Sequence, residues 1–282
     1  MTLMDIRKFD ADCSSCGARR PCLSGGVPSA NLEKVQSIVY LRRTVKRGEA
    51  LFAAGDEGDA LYAVSAGFFK TILVSSDGRG QVTGFFMAGD LLGMDGIASD
   101  RHSDTAIALE DSQVCVMPYV LIEPVAREVP ALQHRLHAAL SGGIAHNQRA
   151  MMVLGTMSAE KRMASFLLEL SGRLLRRGFS GCDLQLRMTR GDIGSYLGLS
   201  LETVSRLFTT FQRNGLVQVE QKHVQILDIE GLQRILQKGL PPFLARSLPA
   251  RHPAVDLQRL QRGRRRSTTT LPAASSLPRT WT

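Results

Sequence analysis

Apolar residues between about Asn31 and Pro118 come in short runs: Ala50–Phe52, Leu61–Val64, Lys70–Val74, Val82–Phe86, Thr105–Leu109 and Val114–Met117. Turn dipeptides separate them at Arg47-Gly48, Gly55-Asp56, Asp77-Gly78 and Gly89-Asp90. Short runs at such spacing predict many short strands in a sandwich or barrel. Past Pro130 the period lengthens. Leu140, Ile144, Asn147, Met151 and Leu154 follow one another at four, three, four and three residues, and Leu136 stands four residues before the first. That is the a/d seam of a helix that pairs with another helix, and one polar residue on such a seam sets register. A helix packed on its own domain has the same spacing; Asn147 favours a homodimer. Gly142-Gly143 weakens the helix locally, which suits a switchable interface.

From Ser158 to about Ile235 the pattern is mainly helical and then closes in short strands. The sharpest local signal is TRGDIGSYLGLSLETVSRLFTTFQRNG, residues 189–215. Thr189 and Asp192 stand in capping-box relation, Gly198 breaks the helix they start, Ser200 caps a second helix and Gly215 follows its end. Two short helices joined at a glycine form a helix-turn-helix. At about 100° per residue, Val204, Leu207, Phe208 and Phe211 fall on one side of the second helix, and Glu202, Ser205, Arg206, Thr209 and Arg213 on the other. Arginine bonds the guanine major-groove edge bidentately and glutamate accepts from cytosine N4, so this polar side suits double-stranded DNA. Thr189, Arg190 and Thr203, at the starts of the two helices, complete the candidate contact set. Val217–Val219 and Val224–Leu227, joined by Glu220–His223, predict a β-hairpin wing.

The chain has 282 residues, 44% of them hydrophobic, and a formal net charge of +9. That length suits two domains, and the charge suits a polyanionic partner. Part of the excess sits around Arg262 and Arg264–Arg266, in a Pro-, Arg-, Ser- and Thr-rich tail that reads as disordered. No signal peptide and no apolar run of about 18 residues are present, so a cytoplasmic protein with no membrane partner is expected.

Five cysteines then change the picture. Cys13, Cys16 and Cys22 form C-x2-C-x5-C, and three thiols so close in a reducing compartment point to a soft metal. Cys115 is the candidate fourth ligand; Cys182 reads as a free thiol. Four thiolates suit structural zinc and an iron–sulfur cluster equally. Arg19 and Arg20 lie inside the ligand loop. The six histidines show no ligand spacing, and there is no nucleotide loop, HExxH or nucleophile elbow. An enzyme is therefore not expected, and an iron–sulfur enzyme or electron carrier has little support.

These residues resemble the CRP/FNR regulators, and within them the oxygen-sensing FNR branch, from about Asp12 to Leu236. CSSCGARRPC is similar to the FNR ligand lobe, and Cys115 falls where that branch keeps its remote ligand. LFAAGDEGDALYAVSAGFFKTI and TGFFMAGDLLGMDGI resemble a β-roll, and ETVSR resembles the E-x-x-S-R recognition motif on Glu202, Ser205 and Arg206. The resemblance implies an α+β fold with an N-terminal cyclic-nucleotide-binding-like β-roll, a long dimerisation helix and a C-terminal winged helix-turn-helix. The expected segments are a cluster lobe over 1–28, a sensor over 29–130, the dimer helix over 131–157, the DNA-binding domain over 158–238 and the basic tail over 239–282. It also implies a [4Fe–4S] cluster on Cys13, Cys16, Cys22 and Cys115 that favours dimerisation and binding to a TTGAT-N4-ATCAA-type palindrome. Oxygen would convert the cluster to [2Fe–2S] and then to apoprotein, with loss of the dimer. The turn Ser75–Gln81 resembles a loop that touches RNA polymerase in these activators. Where the family's cyclic-nucleotide binders keep a Glu and an Arg-Ser pair, this chain has Gly93-Met94-Asp95-Gly96 and Asp104-Thr105, so no cyclic nucleotide is expected.

Overall fold

A computed structural model describes residues 13–238. The expected basic tail and the first twelve residues of the lobe lie outside the described residues.

Eight strands form two four-stranded antiparallel sheets. One has the order β1(Leu41–Val45), β8(Ser112–Pro118), β3(Ala60–Ala66), β6(Leu91–Leu92); the other has β2(Ala50–Phe52), β7(Thr105–Ala108), β4(Phe68–Val74), β5(Gly80–Met87). Side chains alternate between the two faces of a strand. In β3, Ala60, Tyr62 and Val64 join Phe52, Phe69 and Ala106 in the core of the roll. Leu61 and Ala63 point the other way and pack with Cys115, Met117, Ile122 and Leu132. Both faces of β3 are covered from Ala60 to Val64, which is why that stretch is a continuous hydrophobic run.

The outer face of that first sheet is covered by α1(Ser29–Gln36), α2(Tyr119–Glu128) and the start of α3(Pro130–Thr156). Pro130 occupies the first turn of α3, where its missing N–H costs nothing. The helix then runs for 27 residues, straight through Gly142-Gly143. Only Leu132 and Leu136 on it are buried. The remaining chain forms α4(Ala159–Arg176), β9(Asp183–Gln185), α5(Arg190–Leu197), α6(Leu201–Arg213), β10(Val217–Glu220), β11(His223–Ile226) and α7(Ile229–Gln237).

Several elements were absent from the sequence expectation. Strand β1 hides under LRRTV because it is an edge strand with four of its five residues partly or fully exposed. Strand β9 has one buried residue, Leu184. The expected closing in short strands is followed by α7, started by Asp228, whose carboxylate accepts from Gly231 N at 2.7 Å. The wing turn is two residues, Gln221 and Lys222, with Gln221 at φ 55°.

The β4–β5 hairpin does not stand free. Phe68, Val82, Phe85 and Met87 share a core with Met163, Phe166, Leu167 and Ile193 of the C-terminal domain. Each such side chain stabilises by about 1.5–3 kcal/mol when fully buried. Polar links border this core. Lys70 Nζ lies 2.6 Å from Asp192 Oδ1, Val82 N donates to Ser195 Oγ at 2.9 Å, and Arg173 and Arg177 both pair with Asp90.

Candidate functional site

The helix-turn-helix is assembled by its caps. Thr189 Oγ1 accepts from Asp192 N at 3.0 Å, and Asp192 Oδ2 accepts from Thr189 N at 2.8 Å, completing the capping box. Helix α5 ends at Gly198, whose φ of 62° is left-handed backbone that favours glycine. Ser200 Oγ then accepts from Thr203 N at 3.1 Å and starts α6.

Val204, Phe208 and Phe211 of α6 are buried. Glu202, Arg206, Thr209 and Arg213 are exposed on the opposite side, with Ser205 and Thr203 half-buried beside them. The Glu202 carboxyl is held below the usual range by its own backbone N–H and the Ser200 hydroxyl, so it stays an acceptor. The remaining candidates do scaffold work. The Thr189 side chain is occupied by its cap. Arg190 stacks 3.5 Å over the Phe208 ring and donates through Nη2 to Gln221 O at 3.2 Å, fastening the wing to the second helix. Nothing in its sequence neighbourhood signalled that role.

The cysteines converge on a second place. Cys13, Cys16, Cys22 and Cys115 line one pocket together with Arg42 and Met117. Backbone turns wind the lobe around it: Arg19 N donates to Cys16 O at 3.0 Å, Cys22 N to Ala18 O at 3.2 Å and Gly25 N to Cys22 O at 2.9 Å. Cys115 arrives from β8, where it faces Arg42 across the ladder. The Cys13 thiol is pushed up to about 11, by burial first and then by Cys22, Cys115 and Cys16. Burial also raises Cys22 and Cys115, while an Arg42 side-chain hydrogen bond opposes it at Cys115.

Four soft donors that feel one another are costly as bare thiolates and become favourable when they share a cation. Among the described residues no three His, Cys, Asp or Glu side chains meet closely enough to hold a single metal ion. Cysteine sulfurs are the ordinary donors of thiolate-bound metal centres, zinc and iron–sulfur alike, and four of them line this pocket. Cys182 is elsewhere, before β9, with its carbonyl accepting from Ile226 N at 2.7 Å.

The dimer-seam candidates divide. Leu136 is buried at 7% exposure in the core of its own domain. From there on the stripe opens. Leu140, Ile144 and Met151 are 36%, 61% and 73% exposed, Asn147 is exposed and Leu154 half-buried. Met152, which the seam did not include, is exposed as well. Besides the packing of Leu132 and Leu136 in the same core, a polar contact links this helix to the pocket: Arg135 Nη2 donates to the carbonyls of Pro21 at 2.8 Å and Cys22 at 2.7 Å.

Inside the roll, the Asp95 carboxylate accepts from Ser103 N at 2.8 Å and pairs with buried His102 at 3.3 Å. His102 stacks on Phe52 at 3.7 Å. Asp104 Oδ2 accepts from Thr83 at 3.0 Å. Burial raises the Asp104 carboxyl, with the Asp95 charge adding to it.

Two family models match the chain: a Crp-like helix-turn-helix domain over residues 161–235 and a cyclic nucleotide-binding domain over residues 42–128. The transcriptional regulatory protein Btr of Bordetella pertussis is 41% identical over 226 residues, covering 80% of this chain and 93% of its own length. The fumarate and nitrate reduction regulatory protein of Escherichia coli is 37% identical over 223 residues, covering 79% and 89%. The chain belongs to the CRP/FNR family of transcription regulators. The solved structure of FixK2 from Bradyrhizobium japonicum, a neighbour with the same fold, is 28% identical, covers 69% of this chain and 96% of its own, and superposes with a TM-score of 0.64.

For this CRP/FNR regulator the matched helix-turn-helix is the DNA-binding element, and the expected β-roll and α+β class are present. Within it, α6 carries the exposed polar side of Glu202, Arg206, Thr209 and Arg213. Among the described residues no helix is long and apolar enough to cross a membrane.

Proposed function

We propose that this regulator binds a [4Fe–4S] cluster through Cys13, Cys16, Cys22 and Cys115 and works as an oxygen-responsive homodimer in the cytoplasm. One observation carries the reading: three cysteines of the lobe and one of β8 line a single pocket, and the dimer-seam helix holds the lobe through Arg135. When bound, the cluster supplies an oxygen-labile cross-link between lobe and sheet.

The chain's own residues do the rest. The four thiolates fix the lobe against β8. Arg135 keeps the start of α3 on that lobe. Leu140, Ile144, Asn147, Met151 and Leu154 then meet their counterparts in the second copy. A coupling of about 1–3 kcal/mol between lobe and seam is enough to shift dimer occupancy markedly. Pairing places two copies of α6 on a TTGAT-N4-ATCAA-type palindrome, and losing one copy halves the phosphate contacts.

The Ser75–Gln81 turn, exposed along its length, serves as the RNA polymerase contact in activation. The roll takes no cyclic nucleotide in this reading. Asp104 would repel a cyclic phosphate, and Asp95 already accepts from the backbone N–H groups of Ser103 and Asp104.

The test is operator binding and sedimentation of the anaerobically purified protein under nitrogen and again after exposure to air. The expected result is a dimer on the palindrome under nitrogen and weak binding by monomer in air. Equal pairing and equal binding in both conditions overturn the proposal.

A further inference from the structure

Helix α3 carries two different faces. The dimer stripe runs through Leu140, Ile144, Asn147 and Met151. His146, six residues after Leu140, lies about 120° round the helix from that stripe. There it meets the DNA-binding domain twice. Its Nδ1 lies 3.3 Å from Glu169 Oε1 of α4, and its Nε2 lies 3.3 Å from the Tyr196 hydroxyl of α5. With Nδ1–H donating to the carboxylate, Nε2 is left to accept from the phenol, so one neutral ring satisfies both partners.

The surroundings hold this chain in place. The Tyr196 ring packs against Phe85 at 5.2 Å and Phe166 at 6.1 Å, and burial with the Glu169 charge pushes its hydroxyl up, so it remains a donor. Burial would raise Glu169, but the His146 hydrogen bond and the Arg173 and Arg149 charges bring it below its usual range. A second tie lies further along the same helices. Arg162 donates to Leu154 O at 2.6 Å and Met157 O at 2.9 Å, at the end of α3, and to Leu197 O at 3.0 Å, at the end of α5. Two separated attachments remove the freedom of α5 to turn against α3 that one would leave.

We propose that the Glu169–His146–Tyr196 chain is a positioning strut that sets the angle of the helix-turn-helix from the dimer helix, so that two recognition helices meet both halves of a palindrome together. This rests on the reading that α3 pairs with a second copy. It goes beyond that reading by naming residues outside the seam, the cysteine pocket and the DNA-facing side that fix operator geometry. Such a strut governs how two half-sites are engaged at once. It has no bearing on how well one copy of α6 reads one half-site.

The experiment compares the anaerobic full-length protein with Tyr196→Phe, His146→Ala and the double variant. Tyr196→Phe removes one hydroxyl and keeps the packed ring. Fluorescence anisotropy is read on a duplex with two inverted TTGAT half-sites and on one with a single half-site. Each single variant is expected to lose about fivefold on the palindrome and nothing on the half-site. The double variant is expected to lose no more than the worse single, because both changes cut one connection. Equal losses on the two duplexes, losses that multiply, or no loss overturn the strut. A parent protein that binds both duplexes alike overturns the dimer reading and the strut with it. A parent that prefers the palindrome while both variants keep that preference overturns the strut alone.

Discussion

Arg135 Nη2 lies 2.7 Å from the carbonyl oxygen of Cys22. One residue of α3, the proposed dimer helix, therefore grips the backbone of a candidate cluster ligand. The same guanidinium reaches Pro21 O at 2.8 Å and Arg20 O at 3.3 Å. Gly25 makes room for it: a Cβ there would come within 2.3 Å of Arg20 O and 3.0 Å of Arg135 Nη2. Replacing Arg135 by Met keeps the stem and removes the donors. Dimer affinity is expected to fall about five- to tenfold under nitrogen, while bound iron is kept. Sedimentation velocity with iron analysis checks this, and an unchanged dimerisation constant counts against the link.

Cys115→Ser tests the remote ligand. Serine fills the same place in β8 but offers a hard oxygen where a soft donor is needed. The variant is expected to lose anaerobic cluster retention, read by visible absorbance. Cys182→Ser, changed outside the pocket, is expected to match the parent. The opposite pattern would mean that the fourth ligand is Cys182.

Arg206 is exposed on the polar side of α6 and has room to meet a base edge. Arg206→Ala is expected to cost about 1–3 kcal/mol in operator affinity and to relax preference at one position in each half-site. Binding to a panel of single-substitution operators reads this out. Unchanged preference at every position would remove Arg206 from base recognition.

Lys70 and Asp192 form an ion pair with side chains only 18% and 11% exposed, joining the roll to the helix-turn-helix. Lys70→Met is expected to destabilise by about 1–3 kcal/mol at neutral pH, as for a hydrogen bond between charged groups. Burial pushes the Asp192 carboxyl up, but Lys70 and Thr189 hold it below its usual value. A depressed carboxyl stabilises the fold above its unfolded pKa, about 3.9, and that contribution disappears as pH falls through the folded value. The gap between parent and variant is therefore expected to be full at pH 7 and to shrink below about pH 4. Urea melts at several pH values measure it, and a gap that is constant in acid contradicts the assignment.

The parts legible in the sequence were those whose signal is local. The capping box of Thr189 and Asp192, the glycine break at Gly198 and the two-sided α6 are set by residues a few positions apart. The strands of the roll announced themselves as apolar runs because their faces are buried. Strand β1 did not, since an edge strand carrying Arg42 and Arg43 has no apolar run to show. The pairing of Arg42 with Cys115 depends on register between distant strands. Likewise Leu136 shares the period of the seam, yet the roll reaches far enough along α3 to bury it. Arg190 carries the charge of a phosphate ligand, and only the fold shows its guanidinium lying on Phe208.

Iron and acid-labile sulfide counted on the protein purified without oxygen, beside the Cys13, Cys16, Cys22 and Cys115 single variants, test the central claim most directly. Four irons and four sulfides per chain in the parent, lost in every variant, are expected for one [4Fe–4S] group on those thiolates. A colourless parent carrying zinc or no metal, with the same operator affinity as each variant, would contradict it.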